Sequence, residues 1–531
     1  MVKSFIKTNI STAAVNVGPE HEGTDRYIAA VDVGTSSIRC FIFDQQTKIR
    51  GTARRKIELI YPKTGWVEID PENLWQSCVE VLKDSIQSAR LSPQQIDCIG
   101  ISTQRATFLN WNKKTGKPFH NFITWQDLRA EGLVKSWNHS RTMRLLRVGA
   151  KVMHWLTGKK RFLAASVLTF SSRQVVIRLL WVLDNIPGLR ESINKNEVAF
   201  GMIETWLLWK LTGGQVHASD YSNISATAMF DPFQLQWGEW ILNILKIPTT
   251  ILPEIKDTSG VFGYCEATLL GARIPITSLV ADQQAAMFGE CCFQLGDVKC
   301  TLGSGSFLDV NTGSKPHASL NGVYPLIGWK FGSEITYIAE GASNDTGTAI
   351  NWLESVGLLD DVTESSNIAW SVDDSGGVYF IPAFSGLQAP INDNSACAGF
   401  LGISTTTQKT HLVRAVLESL VYRLKQLFDV TEAETNFVLR DLRVDGGVSN
   451  CDFVMQLLAD VTQQKVNRPQ NPETTSLGTA FLAGLGIGIW KSKEEFIKFR
   501  TISTEFYPFQ TDLSLFRGWE RAVQRCTRWY K

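Results

Sequence analysis

One pattern occurs twice and constrains the whole chain: an apolar strand, a tip of glycine and small hydroxyl residues, then a second strand. It first appears as Tyr27-Ile28-Ala29-Ala30-Val31-Asp32-Val33-Gly34-Thr35-Ser36-Ser37, continued by Ile38 to Asp44. It returns as Val298-Lys299-Cys300-Thr301-Leu302-Gly303-Ser304-Gly305-Ser306-Phe307-Leu308-Asp309-Val310-Asn311, half a chain later, as a two-domain chain with a duplicated core requires. Glycine at a tip lets backbone N–H groups approach an anion with no Cβ in the way, and the hydroxyls of Thr35 and Ser36 add donors. Asp32, at a strand end, can hold a hard cation such as Mg2+ directly or through its waters. Two such tips facing each other across a cleft would make a nucleotide site. The same residues also suit ordinary hairpin turns with a surface aspartate, and two unrelated hairpins can mimic a repeat.

At 531 residues the chain exceeds a single core, so two domains are expected. The hydrophobic share of 44% and charged share of 20% are those of a soluble globular protein. A net charge of +1 gives no overall field for nucleic acid or membrane, and no apolar run is long enough to span a bilayer. Met1 to Gly23 is polar, lacks the apolar core of a secretory signal, and reads as a disordered lead-in. None of the ten cysteines has Cys-x-x-Cys spacing, which points to buried free thiols in a reducing compartment, hence a cytoplasmic location.

Strands and helices alternate along the chain, the mark of α/β architecture. Lys56 to Tyr61 reads as a strand. Asp70 suits a helix N-cap and Pro71 the first helical position of a helix to Ala89. Ile96 to Ser102 is a buried strand that delivers Thr103-Gln104-Arg105 to a crevice. Ile274 to Ala281 is another, with Asp282 just past its end. Leu442 to Asp445 runs into the Gly446-Gly447 pair, a bare turn able to lie against a purine, or simply a tight strand-to-helix turn. Thr475 to Gly488 is a small-residue helix suited to close packing. Arg141 to Arg161 interleaves Arg141, Arg144, Arg147, Lys151, Lys159, Lys160 and Arg161 with Met143, Leu145, Leu146, Val152, Met153, Trp155 and Leu156. Such a helix can lie on a membrane or a partner. With no second anchoring signal, the expected reading is a surface helix with one face packed on the domain. No Gly-x-x-x-x-Gly-Lys-Ser/Thr stretch is present, which excludes a P-loop enzyme.

Taken together, Val31 to Ser37, Gly65 to Pro71, Trp125-Gln126-Asp127, Ala281 to Ala286, Leu302 to Gly305, Gly399 to Ile403, His411 to Glu418 and Asp445-Gly446-Gly447 follow one another in family order. Over Tyr27 to Trp490 the chain resembles the FGGY carbohydrate kinase family, and within it the glycerol kinases. The resemblance implies two actin-like (ribonuclease H-like) ATPase domains around a central cleft. It places an N-terminal, substrate-side domain over 25–289, after the lead-in 1–24, and a C-terminal, nucleotide-side domain over 290–531. It implies ATP and Mg2+, and transfer of a phosphoryl group to glycerol.

By the same resemblance Asp282 is the general base and Asp32 the metal-linked acid. Gly34, Thr35, Ser36, Ser304 and Gly305 contact phosphates. Gly347, Asn351, Gly446, Gly447 and Asn450 contact the nucleotide, and Arg105, Trp125, Asp282, Gln283 and Phe307 line the acceptor site. Two departures stand out. Family glycerol kinases follow the arginine with a glutamate, where this chain has Ala106; losing a charged acceptor costs about 1.5–3 kcal/mol of binding. A substrate-contacting tyrosine also lacks a clear counterpart, the place to look being Leu168-Thr169-Phe170. Leu270-Gly271-Ala272-Arg273 lacks the glycine run with which bacterial relatives bind an inhibitory sugar bisphosphate. These departures leave open a kinase for another polyol or sugar, or a nucleotide-binding pseudokinase acting through partners. The expected partners are a small polyol and ATP, with no nucleic acid and no membrane contact; a homo-oligomer stays open.

Overall fold

The computed structural model describes residues 25–435, 437–510 and 512–530; the lead-in expected over 1–24 lies outside them. The first hairpin forms as its residues dictate. Strands β1 (Tyr27–Val33) and β2 (Ser37–Asp44) pair antiparallel, with Asp32 opposite Arg39. β3 (Ile49–Lys56) continues the meander, and α1 (Pro71–Ser88) packs on it so closely that a Cβ on Gly51 would lie 2.3 Å from the Ser85 carbonyl oxygen. Asp70 caps α1 and accepts from the Glu72 and Asn73 amides. The strand expected over Lys56 to Tyr61 is therefore displaced. It lies earlier, where Gly51 admits the helix, and beyond it only Ile60 bridges to Glu68.

β4 (Ile96–Thr103), β5 (Ser259–Tyr264) and β6 (Pro275–Ala281) complete a six-stranded sheet in the order β5-β6-β4-β1-β2-β3, with β4 parallel to both β1 and β6. Between β4 and β5 the chain inserts, among other elements, helices α2 (Glu131–His139), α3 (Arg141–Thr157), α4 (Lys160–Ser166) and α5 (Val175–Asn185), which share a core of their own.

The second half repeats the plan. After α6 (Asp282–Gly289) come β7 (Val298–Leu302), β8 (Ser306–Gly313), β9 (Tyr324–Phe331) and β10 (Glu334–Ser343), then α7 (Thr346–Ser355) and α8 (Lys409–Thr435). β11 (Leu442–Asp445), α9 (Asp452–Thr462), β12 (Val466–Pro469), α10 (Thr474–Gly486) and β13 (Ile502–Phe506) follow. The seven-stranded sheet runs β9-β10-β8-β7-β11-β12-β13. In both sheets a hairpin (β1-β2, β7-β8) supplies the strand to which the next pairs in parallel (β4, β11), followed by a further parallel strand (β6, β12). The loose repeat of the sequence is thus a topological one.

The halves join through two small-residue helices. A Cβ on Gly478 of α10 would sit 1.8 Å from the Ala285 oxygen of α6, and one on Gly289 would sit 2.1 Å from the Thr474 oxygen. α10 therefore lies on the N-terminal sheet although it belongs to the later half of the chain. All ten cysteines are free and buried.

The basic segment is a surface helix with one face packed on the domain, as expected, but most of its apolar residues lie on the other face. α3 turns Met143 and Ala150 inward, whereas Leu145, Val152, Met153, Trp155 and Leu156 are exposed and Leu146 is half-buried. Among the described residues no helix is long and apolar enough to cross a membrane.

Candidate active site

Parallel strands end at one edge of a sheet, and side chains just past those ends meet there. Here that edge carries Asp32 (β1), Gln104-Arg105 (after β4) and Asp282 (after β6, opening α6). Asp32 is 2% exposed; one carboxylate oxygen accepts from the Ser102 hydroxyl at 3.1 Å, and the other pairs with Arg39 at 2.5 Å. Arg39 reaches on to Glu473 at 2.6 Å. Sequence reasoning passed over this arginine, although its place opposite Asp32 on the hairpin was a usable signal.

Asp282 accepts from the Gln283 amide at 2.8 Å, and Arg105 Nε lies 3.8 Å from the same carboxylate. Burial pushes its pKa up to about 6; Arg105 opposes the shift and the charge of Asp32 adds to it. The two acids are therefore close enough for the charge of one to raise the pKa of the other.

Arg105 also pairs with Glu340 of β10 at 2.7 Å, so the N-terminal half's arginine is held by the C-terminal half's acid. Its guanidinium lies 5.7 Å from the Phe307 ring centroid. Gln283 accepts from Lys299 at 2.6 Å, and Lys299, fully buried, lies 3.4 Å from Asp309. Burial opposes the ammonium, but Asp445, Asp309 and Asp282 outweigh it and hold the pKa above its usual range. Burial also drives the pKa of Asp309 up, against the pull of Lys299. Glu340, Lys299 and Asp309 gave no sequence signal, since each sits mid-strand and meets the site only through sheet pairing.

Both glycine tips are held from behind. At the first, the Gly34 amide donates to the Ser37 carbonyl at 3.0 Å, Gln104 donates to the Gly34 carbonyl at 3.1 Å, and Ser36 is exposed. Trp125 donates its indole N–H to Thr35 Oγ1 at 3.1 Å, which ties Trp125 to the first glycine tip. At the second, Ser304 is exposed, and the Gly347 amide at the start of α7 donates to the Gly303 carbonyl at 3.0 Å. A Cβ on Gly347 would lie 2.7 Å from that oxygen, and one on Gly305 would lie 2.8 Å from the Ser343 oxygen. Glycine is required there by close backbone approach.

The Gly446 turn is fixed likewise: φ is +90°, and a Cβ would come within 2.5 Å of the Leu302 oxygen at the end of β7. Gly446, Gly447 and Asn450 line a cavity of about 480 Å³ together with Arg39, Thr301 and Asp445. Asn351 stands exposed on α7 and does not line it. The structure thus brings Asp32, Arg105, Asp282, Gln283 and Phe307 together. It sets Gly347 against the second tip and places Asn450 by the Gly446 turn.

The acceptor wall departs further from expectation. Ala106 sits at φ +60°, nearly buried. Its carbonyl accepts from the fully buried Arg178 at 2.8 Å, as do those of Arg173 at 2.7 Å, Ile123 at 3.3 Å and Thr124. Arg173 projects from the same patch, 5.7 Å from the Trp125 ring centroid, and donates to Asn344 across the cleft. No carboxylate pairs with it among the described residues. Thr169 is exposed and Phe170 is buried, held by Asn138 through two hydrogen bonds of 2.9 Å, so Leu168-Thr169-Phe170 supplies no phenol.

The donor set suits a nucleoside triphosphate: glycine tips, the exposed hydroxyls of Ser36 and Ser304, and the guanidinium of Arg39. Among the described residues no three His, Cys, Asp or Glu side chains converge as metal ligands. Asp32, whose two carboxylate oxygens already meet Ser102 and Arg39, would hold a magnesium ion through water rather than directly.

Two repeated α/β halves closed on paired acids and phosphate tips define the actin-like ATPase class, here in its small-molecule kinase form. The N-terminal domain model of the FGGY family of carbohydrate kinases matches residues 27–289 and the C-terminal domain model matches 298–487; the chain belongs to this family. It is 51% identical to a zebrafish (Danio rerio) protein named glycerol kinase 5, over 95% of this chain and 97% of that one. It is 39% identical to a glycerol kinase of Caldanaerobacter subterraneus, over 95% and 99%. Among solved structures, Plasmodium falciparum glycerol kinase with ADP superposes with a TM-score of 0.85 at 31% identity, covering 94% of this chain and 98% of that one.

Proposed function

We propose that this protein transfers the γ-phosphoryl group of ATP to a terminal hydroxyl of glycerol, giving sn-glycerol 3-phosphate. The observation that carries the reading is Asp282: a carboxylate at the cleft edge, its pKa raised to about 6, sensing Asp32 and held beside Arg105 and Gln283. Phosphoryl transfer asks little covalent chemistry of a protein. It needs a base within reach of the attacking hydroxyl, and otherwise positioning and charge neutralisation.

In this reading Asp282 takes the hydroxyl proton. It is ionised at neutral pH and basic enough to accept. Arg105 and Gln283 orient the polyol, while Trp125 and Phe307 flank its carbon chain. The backbone and hydroxyls of Gly34, Thr35, Ser36, Ser304 and Gly305 hold the phosphates, with Arg39 spreading the charge that develops on them. Gly347, Gly446, Gly447 and Asn450 bound the nucleoside. Asp32 would hold Mg2+ through water, and the bound ion neutralises phosphate charge. The free buried thiols support a reducing compartment such as the cytoplasm.

The test is glycerol-dependent release of ADP by the purified full chain with Mg-ATP. Saturable turnover supports the proposal; no turnover at high-millimolar glycerol contradicts it. A second reading, a kinase for another and more acidic polyol, is favoured by Ala106 and by the unpaired Arg173 on the same wall. A panel of neutral and acidic polyols ranked by kcat/KM decides between them.

A further inference from the structure

We propose that the outer face of α3, with the α3–α4 turn, docks the protein reversibly on an anionic lipid surface. Leu145, Val148, Val152, Trp155 and Leu156 recur every three or four residues and share one side of the helix, opposite the buried Met143 and Ala150. Their side chains stand in water: Leu145 is 73% exposed, Trp155 82% and Leu156 63%. α3 is well formed beneath them. Ser140 caps it by accepting from the Met143 amide at 3.1 Å, and Gly158 ends it at φ +66°. Its inner side is anchored: Arg147 donates to the Leu168 carbonyl at 2.8 Å. The apolar stripe is thus displayed by a folded helix with two apolar sides, of which the protein covers one.

The charge around the stripe selects the occupant. Arg141, Arg144, Lys151, Lys159 and Lys160 are exposed and in no ion pair among the described residues, whereas Arg161 is spent on Asp231 at 3.5 Å. From Gly132 to Leu183 the sequence has no Asp or Glu. A second copy packed symmetrically on this face would set the same unpaired cations against one another. The surface calls for a negative partner that also takes up apolar side chains over the length of one helix. A tryptophan and leucines flanked by Lys and Arg is the composition of an interfacial helix lying in the headgroup layer of an acidic bilayer. The nearly neutral whole-chain charge hides this local field, because acids elsewhere cancel it in the sum.

The experiment is co-sedimentation of the full chain with vesicles of phosphatidylcholine alone and of phosphatidylcholine with phosphatidylserine. Binding to the anionic vesicles only, weakening as salt rises, is expected. Leu145→Glu with Trp155→Glu should abolish it. Arg144→Gln and Lys151→Gln should each weaken it about fivefold, the worth of one basic residue at such a surface. All these variants change exposed side chains, and unchanged circular dichroism checks that they fold. Equal binding to neutral vesicles, no partition at low salt, or full binding by the Glu variant each overturns the proposal. A dimer in sedimentation velocity that Leu145→Glu disperses would assign the face to a second copy. Binding to polyglutamate without partition into vesicles would assign it to an acidic protein; both outcomes also overturn the lipid reading.

Discussion

The two walls of the cleft are built by different means. The wall proposed for the nucleotide rests on close main chain: at Gly305, Gly347 and Gly446 main chain approaches main chain so closely that no Cβ fits, and the side chains of Arg39, Thr301 and Asp445 line the cavity beside it. The acceptor wall is made of side chains recruited from distant elements: Arg178 gathers the carbonyls of Ala106, Ile123, Thr124 and Arg173, and Glu340 crosses from the other half to hold Arg105. Such close main-chain contact tolerates almost no substitution. A side-chain wall can be re-equipped one residue at a time, and here it is the wall that carries Ala106 and Arg173.

The comparison can be broken by substitution, beginning where the effect is greatest. Asp282→Asn removes the base but keeps the shape, and should lower kcat about 10²–10⁴-fold with little change in KM for ATP; initial-rate kinetics checks both. Arg178→Met leaves buried carbonyls without a donor. At about 1–3 kcal/mol for each unsatisfied group it should lower the unfolding free energy by about 3 kcal/mol or more, read from urea denaturation. Gly446→Ala puts a Cβ against the Leu302 oxygen at a positive φ, a strain of about 1–3 kcal/mol. It should raise KM for ATP and leave KM for the acceptor unchanged, which separates the two walls. Arg173→Gln should leave KM for ATP alone and shift the preference between neutral and acidic polyols by about tenfold, the worth of one charge-assisted hydrogen bond. If Gly446→Ala instead altered acceptor preference, or Arg173→Gln altered only ATP binding, the division between the walls would fail.

The same division decides what was legible in the sequence. The hairpin tips, the Asp70 cap, the Gly446 turn and the small-residue helix α10 depend on residue types that leave few alternatives, and they stand where their residues pointed. Asp32 and Asp282 were findable because each stands at the end of a buried strand, and strands parallel to the same neighbour end at one edge. Lys299, Asp309 and Glu340 were not, since what makes them part of the site is a strand pairing between segments far apart in sequence. Arg173 and Arg178 were hidden for a related reason: a lone arginine near a helix start says nothing until the carbonyls around it are known. The β3 strand was misplaced because its exposed polar residues mask an edge strand whose one demanding position is a glycine under a helix. That α3 is a surface helix with one packed face was legible, but not which of its apolar residues point outward, because amphipathic spacing gives the period of a helix face and not its direction.

The central claim is that Asp282 acts as a base with its pKa raised by burial. The most direct measurement is the pH dependence of kcat/KM for glycerol-dependent ADP release, from pH about 5 to 8. A base must be unprotonated to work, so activity should fall as pH drops through about 6 and level off above it. Asp282→Asn should lower turnover about 10²–10⁴-fold and remove the fall near pH 6. A flat profile in the unsubstituted protein, or Asp282→Asn turnover within about tenfold of it, would contradict the account.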